Sequence, residues 1–384
     1  MAERAEKFVI DLDHNATTPL DPVALEAMAK VARDAGGNPG SRHRAGRKAR
    51  QALEDARESI AEILDCDPRD LIFTSGGTEA NNLAILGMAA GRCGKILLPS
   101  GEHPATEEPV RRLTSNGWIR QEIPIDQEGL LVQSALTDAN LYDGVLIATA
   151  LLAHNETGVI QDLIPLSECC RDRGIGFHID AVQAVGKIEV SFRKLQATSL
   201  SFGAHKFYGP RGIGGLILRS DVRLQSQVLG GHQEAGRRAG TEPVMLAVGM
   251  NAALRQWHTN RVERELHLTS LRNRLEAGLL QACAPAFING TTLHRLPNTT
   301  NISFPGCDGD SLLIALDLAG ICCSLGSACA SGSIEPSPVL VAMGLPRDRY
   351  TSAVRFSVGI ENTMAEMDQA VDLIARAVAR LRNA

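Results

Sequence analysis

Ser201-Phe-Gly-Ala-His-Lys-Phe-Tyr-Gly-Pro-Arg-Gly-Ile-Gly-Gly215 places a lysine, Lys206, just after an apolar run from Ala197 to Phe202. The run reads as a buried strand, and glycines and a proline end it at once. A lysine at the mouth of a buried strand loses hydration, which lowers its pKa and frees the amine as a nucleophile. A Schiff-base lysine needs that property. Most lysines at strand ends are ordinary surface residues, so the rest of the chain has to decide.

Upstream lies Gly176-Phe-His-Ile-Asp-Ala-Val-Gln-Ala-Val-Gly186, where Phe177–Ile179 reads as a short buried strand ending at Asp180. A carboxylate at such a place is costly to bury without a partner. The protonated ring nitrogen of pyridoxal phosphate is a suitable one, because an adjacent Asp holds the proton that makes the ring an electron sink. Gln183 stands ready to hydrogen-bond the ring hydroxyl. In isolation Asp180 also reads as a helix N-cap. A third segment, Leu71-Ile-Phe-Thr-Ser-Gly-Gly-Thr-Glu-Ala-Asn-Asn82, combines a short strand, a glycine turn at Gly76-Gly77 and a helix start. Backbone N–H groups and the helix dipole there form an anion cup, to which Thr78 adds a hydroxyl. A fourth, Ser324-Leu-Gly-Ser-Ala-Cys-Ala-Ser-Gly-Ser-Ile-Glu-Pro-Ser337, surrounds Cys329 with small, turn-forming residues. It reads as a mobile loop whose thiol reaches a substrate and then a partner.

Taken together, these segments resemble a cysteine desulfurase of the nitrogen-fixation and iron–sulfur-cluster type, within the fold-type I, class V aminotransferase superfamily. The resemblance extends over Asp11-Leu-Asp-His-Asn-Ala-Thr-Thr18, Gly37-Asn-Pro-Gly-Ser-Arg-His43, Glu102-His-Pro-Ala105 and His154-Asn-Glu-Thr-Gly158. It continues through His178–Lys187, Gly230-Gly-His-Gln-Glu-Ala-Gly-Arg-Arg-Ala-Gly-Thr-Glu242 and Ala353-Val-Arg-Phe-Ser357. It implies pyridoxal 5′-phosphate carried on Lys206 and removal of sulfur from L-cysteine, leaving L-alanine and a persulfide on Cys329. It assigns His103 to stacking on the cofactor ring and proton movement. Asn155 and Arg355 match positions that hold the substrate carboxylate. His205 matches a phosphate ligand, and Thr241 resembles a threonine reaching the phosphate of another subunit, so a homodimer is implied. The cofactor-binding set is then Gly77, Thr78, His103, Asn155, Asp180, Gln183, His205, Lys206 and Thr241. The implied partner is a sulfur acceptor, such as an iron–sulfur scaffold or a sulfur carrier in cluster assembly or tRNA and cofactor thiolation. A selenocysteine lyase or another class V enzyme is the alternative. The family commonly has Ser two or three residues before the lysine, where this chain has Gly203 and Ala204, so one phosphate contact is expected to be missing.

The whole chain agrees with this reading. Its 384 residues suit a large domain plus a smaller one. A hydrophobic fraction of 44% supports a sizeable core, and a net charge of −5 without a basic block argues against direct nucleic-acid binding. No apolar run is long enough to span a membrane, and no secretory signal is read. Nine cysteines without a C-x-x-C spacing indicate neither a zinc site nor a disulfide framework. A cytoplasmic, reducing location is expected. Short apolar strands near Leu71–Thr74, Lys95–Pro99, Val145–Ala150, Gly176–Ile179, Thr198–Phe202 and Gly214–Leu218 alternate with helical runs at Ala45–Leu64, Thr78–Ala90, Glu107–Asn116 and Leu163–Arg173. That alternation predicts an α/β fold with a mostly parallel sheet flanked by helices and a smaller α+β C-terminal domain. The expected division is 15–257 for the large, cofactor-binding domain. Residues 1–14 and 258–384 then form the small one, which carries the cysteine loop. In such a fold, ligands bind beyond the carboxyl ends of the strands, where Thr78, Asp180 and Lys206 fall.

Overall fold

The computed structural model describes residues 9–326 and 336–383. Seven strands form the main sheet: β2 (Leu71–Thr74), β3 (Lys95–Pro99), β4 (Ile119–Ile123), β5 (Val145–Leu151), β6 (Gly176–Asp180), β7 (Ser199–Gly203) and β8 (Gly214–Leu218). Their order is β2-β8-β7-β6-β5-β3-β4, and only β8 runs against the others. Every residue of β2, β7 and β8 is buried. A sheet covered on both faces buries both sides of its strands, and these carry no charged residue. Helices α1 (Pro22–Asp34), α2 (Arg44–Ile63), α3 (Gly77–Ala89) and α4 (Pro104–Thr114) pack around it. The start of α1 is set by Asp21, whose Oδ1 accepts from Val23 N at 2.8 Å, and by Pro22 in the first turn.

A separate apolar cluster forms around Leu271, Leu275, Phe304, Phe356 and Ile374. It packs an antiparallel sheet of β9 (Phe287–Ile288), β10 (Thr299–Ser303) and β12 (Ala353–Ser357) against the helix Met364–Arg382. The amino-terminal strand β1 (Ile10–Asp11) joins β11 (Ile321–Cys322) in a parallel pair beside it. The helix Val244–Ala282 runs between the two clusters. It departs from helical geometry at Asn260 (φ −108°, ψ 16°), with Trp257 in the first cluster and Leu268 in the second.

Several elements differ from the sequence expectation. Helix α1 and the edge strand β4 were not foreseen, and β4 (Ile-Arg-Gln-Glu-Ile) is polar and partly exposed, so it lacks an apolar run. The expected helix at Glu107–Asn116 begins instead at Pro104, where His103 supplies the cap.

Candidate active site

The site is assembled where the parallel strands end. Asp180 closes β6, and the turn Ala204–Lys206 follows β7 directly. Helix α3 starts just after β2, so its first N–H groups, which have no acceptor within the helix, open onto the same place. Gly77, Thr78, His103, Asn155, Asp180, Gln183, His205 and Lys206 line one cavity of about 220 Å³. An adjoining cavity of about 1110 Å³ shares His103, Asn155, Gln183 and Lys206 and adds Arg355 to its wall. Thr241 is exposed on its own loop and lines neither. Cys329 lies outside the described residues. A separate cleft of about 930 Å³, at the amino ends of β6 and β7, contains none of the candidate residues.

Lys206 Nζ donates to the backbone carbonyls of Asn15 (2.7 Å) and Ala16 (2.9 Å). Burial, and then the charge of Arg355, push its pKa down to about 8, while Asp180 and Asp13 oppose the shift. A usable fraction of the amine is therefore unprotonated near neutral pH. Asp180 is 2% exposed. Its Oδ2 accepts from Asn81 Nδ2 at 2.6 Å and its Oδ1 from Val182 N at 2.9 Å. The second contact is a turn bond, and no helix starts at Asp180. Asn81 Oδ1 in turn accepts from Ser201 Oγ and lies 2.9 Å from His178 Nε2. The carboxylate is thus fixed from behind, and each oxygen keeps a lone pair for a further donor.

His103 caps α4, with Nδ1 accepting from Ala105 N at 3.0 Å. Its pKa is lowered chiefly by burial, with Lys206 adding to the shift and Asp180 opposing it. The neutral ring therefore carries its proton on Nε2. His205 is pushed down to about 4, first by burial and then by Lys206. Its Nδ1 pairs with Thr17 Oγ1 at 3.2 Å. Arg355 gives one terminal nitrogen to Asp13 Oδ1 (2.6 Å) and the other to the Asn155 carbonyl (3.2 Å). Its Nε is buried without an acceptor. An unpaired buried guanidinium N–H is costly and calls for an anion.

Asn81, Asp13 and Asn15 are functional candidates that the sequence reading did not single out. All three lie inside quoted motifs, but their contacts join residues far apart in the chain. The Asp13–Arg355 pair spans 342 positions.

Pyridoxal phosphate fits these residues. A Cβ at Gly77 would come within 2.4 Å of Val182 Cγ2, so the α3 amino end is a cradle only glycine leaves open. That cradle, with His205 beside it, suits a phosphate, the free lone pairs of Asp180 suit a ring N–H, and Lys206 suits the aldehyde.

Comparison with known proteins agrees with the geometry. Residues 10–370 match the model of the aminotransferase class-V family. The chain is 42% identical to the cysteine desulfurase IscS of Tolumonas auensis, over 98% of this chain and 94% of that one. A solved NifS-like protein superposes with a TM-score of 0.89 at 32% identity, covering 97% of this chain and 100% of the other. SspA, solved in complex with cysteine, superposes with a TM-score of 0.80 at 29% identity, covering 92% and 98%. The chain belongs to the class-V aminotransferase family, among its cysteine desulfurases, and its cofactor is pyridoxal 5′-phosphate.

Proposed function

We propose that the residues around Lys206 carry out the desulfuration of L-cysteine and that Cys329 takes up the sulfur. The observation that carries this reading is the meeting of a desolvated amine, a braced carboxylate and an anion cradle in one cavity, with the Arg355 guanidinium, whose Nε has no acceptor, in the wall of the next. The SspA neighbour holds cysteine, which supports the same substrate here. The bound cofactor supplies an electron sink. Gly77, Thr78 and His205 hold its phosphate, Asp180 keeps its ring nitrogen protonated, and Gln183 meets its ring hydroxyl. Arg355, steadied by Asp13, lines the adjoining cavity and takes the carboxylate of the amino acid there, with Asn155 alongside. Lys206, unprotonated in part near pH 8, takes a proton from the substrate and returns it. With Nδ1 engaged by Ala105, His103 presents its other ring nitrogen to the cofactor, stacking on the ring and moving protons there.

The overall transfer balances without an external oxidant or reductant. The carbon–sulfur bond of L-cysteine breaks and a sulfur–sulfur bond to Cys329 forms. The carbon keeps the electron pair and takes up a proton as L-alanine. The thiols of Cys66, Cys170, Cys283 and Cys323 are pushed up to between about 11 and about 12 by burial, so they are poor nucleophiles by comparison with a thiol on a small-residue loop.

The same reading includes a large unit of residues 15–257 and a small unit of 1–14 with 258–384, divided near the irregular turn at Asn260. It also includes a homodimer in which the partner's Thr241 reaches the phosphate. The loop bearing Thr241 is pinned by Arg57–Glu234, Arg50–Glu242 and Arg238–Glu79 ion pairs, which hold it in an exposed position. The persulfide passes to an acceptor protein, an iron–sulfur scaffold or a sulfur carrier, in the cytoplasm. No helix among the described residues is long and apolar enough to cross a membrane. The test is Lys206→Ala. A folded variant that forms no alanine from L-cysteine is expected, and alanine at the wild-type rate would overturn the reading.

A further inference from the structure

Beneath the cavity lies a second lysine that the reaction scheme does not use. Lys187 is 7% exposed. Its Nζ donates to Asn15 Oδ1 and to Gln183 Oε1, both at 2.6 Å. Both acceptors are neutral amide oxygens, and the residues bearing them are themselves buried. Burial, and then the charges of Lys206 and Arg355, drive the Lys187 pKa well down. Burying an amine here is costly, and a leucine or methionine would fill the space at less expense. What the amine supplies is direction. Protonated or not, the amine has an N–H for each of the two oxygens. It braces two side-chain amides whose nitrogens are turned to backbone carbonyls.

Those two amides bear on Lys206. With Oε1 held by Lys187, the Gln183 amide nitrogen donates to the Asn15 carbonyl at 3.0 Å. One of its hydrogens remains for the cavity that Gln183 lines. With Oδ1 held by Lys187 and by Asn298 Nδ2 (3.1 Å), Asn15 turns its own amide nitrogen to Thr299 Oγ1 (2.9 Å) and to the Asn155 carbonyl (3.2 Å). Its backbone N–H reaches Ser357 Oγ at 2.9 Å. Asn15 is thereby held by β5's following loop, β10 and β12 at once. The carbonyl so fixed is the one that receives Lys206 Nζ at 2.7 Å.

We propose that Lys187 is a positioning residue for the reaction: by setting the Asn15 and Gln183 amides it fixes the carbonyl that aims Lys206 and the N–H that Gln183 presents to the cofactor. This rests on Lys206 being the cofactor-bearing amine. The charged groups that bear on the Lys206 amine are Arg355, Asp180 and Asp13, and those that bear on Lys187 are Lys206 and Arg355.

The experiment compares wild type, Lys187→Met and Lys187→Gln as holoenzymes loaded with pyridoxal phosphate. Lys187→Met keeps the bulk and removes the donors, and Lys187→Gln keeps an N–H₂. The readouts are the pH midpoint of the bound cofactor's visible absorbance and kcat with L-cysteine per bound cofactor. For Lys187→Met the midpoint is expected to rise by at least about half a pH unit, because the Gln183 N–H is no longer held toward the cofactor's ring oxygen, and losing a donor to that oxygen leaves the neighbouring proton more tightly bound. Its kcat is expected to fall at least about tenfold. Lys187→Gln is expected to recover more than half of both effects. An unchanged or lower midpoint, a kcat within twofold of wild type, or equal losses in the two variants would overturn the proposal, whatever happens to melting temperature. If Lys187→Met does not fold, Lys187→Leu takes its place, with the same expected rise in midpoint and fall in kcat and the same overturning results. Lys206→Ala is run alongside. Should it keep the wild-type absorbance titration, the assignment of Lys206 fails, and that outcome is distinct from any result at Lys187.

Discussion

Replacing Gly203 by serine is expected to tighten cofactor binding. Gly203 ends β7 with φ −136° and ψ 128°, an extended conformation open to any residue. A Cβ built there meets Gly77 N at 3.4 Å, His205 Cδ2 at 3.7 Å and Val182 Cγ1 at 3.8 Å. The side chain therefore enters with at most a few tenths of an ångström of adjustment, and it enters on the side of the α3 cradle. One neutral hydrogen bond contributes on the order of 1 kcal/mol, and one to a charged acceptor about 1.5–3 kcal/mol. Fixing the serine rotamer and stripping water from the hydroxyl subtract a fraction of that gain. A net gain of about 1 kcal/mol corresponds to a roughly fivefold lower Kd. The assay is titration of apoenzyme with pyridoxal phosphate, followed by the rise of bound-cofactor absorbance. Gly203→Ala is the control. It adds the Cβ without the hydroxyl and should stay within about twofold of wild type. An unchanged or weaker Kd in Gly203→Ser would show that another donor already occupies that side of the phosphate. An equal gain in Gly203→Ala would show that chain stiffening, and not a hydrogen bond, is responsible.

Two further outcomes follow from the buried charges. Covalent capture of pyridoxal phosphate by apoenzyme should accelerate as pH rises and level off above about 8, where Lys206 has lost its proton; rates that level off only above pH 10 would mean the amine is not desolvated. Glu102 is 7% exposed, its Oε2 has no partner, and burial raises its pKa to about 8. The folded state thus holds a proton that the unfolded chain releases near the ordinary glutamate value. The resulting stability is fully present below about pH 4.5 and is lost as pH rises through about 8. Glu102→Gln should remove that dependence, so its melting temperature relative to wild type should be higher at pH 9 than at pH 5; parallel curves for the two proteins would contradict the assignment.

Much of this architecture could be read before any coordinates. Strands β2, β5, β6, β7 and β8 announce themselves because a sheet covered on both sides keeps them free of charge up to their last residue. Asp180 and Lys206 stand out because each is an ionisable group placed directly after such a strand. Helix α3 is legible from its glycine turn. Strand β4 is not, since an edge strand alternates with solvent and its Arg120 and Glu122 look like loop residues. The antiparallel direction of β8 is equally silent, because its composition is that of its parallel neighbours. The support behind the site is hidden for a different reason. Asn15, Asn81 and Lys187 gain their meaning from distant partners, such as His178, 97 positions from Asn81, Asn15, 172 from Lys187, and Thr299, 284 from Asn15, and no local pattern encodes such contacts. Asp13 illustrates the same point: next to Leu12 it reads as one more acidic residue, yet it holds the guanidinium of Arg355.

The central claim is that the sulfur of L-cysteine is transferred to Cys329. The most direct measurement is mass spectrometry of peptides from holoenzyme treated with L-cysteine, made on wild type and on Cys329→Ser. The account predicts a single extra sulfur atom on the wild-type peptide containing Cys329, removed by a reductant, and no sulfur release by Cys329→Ser although it still binds pyridoxal phosphate and L-cysteine. Sulfur found instead on Cys322 or Cys323, or full desulfuration by Cys329→Ser, would contradict it.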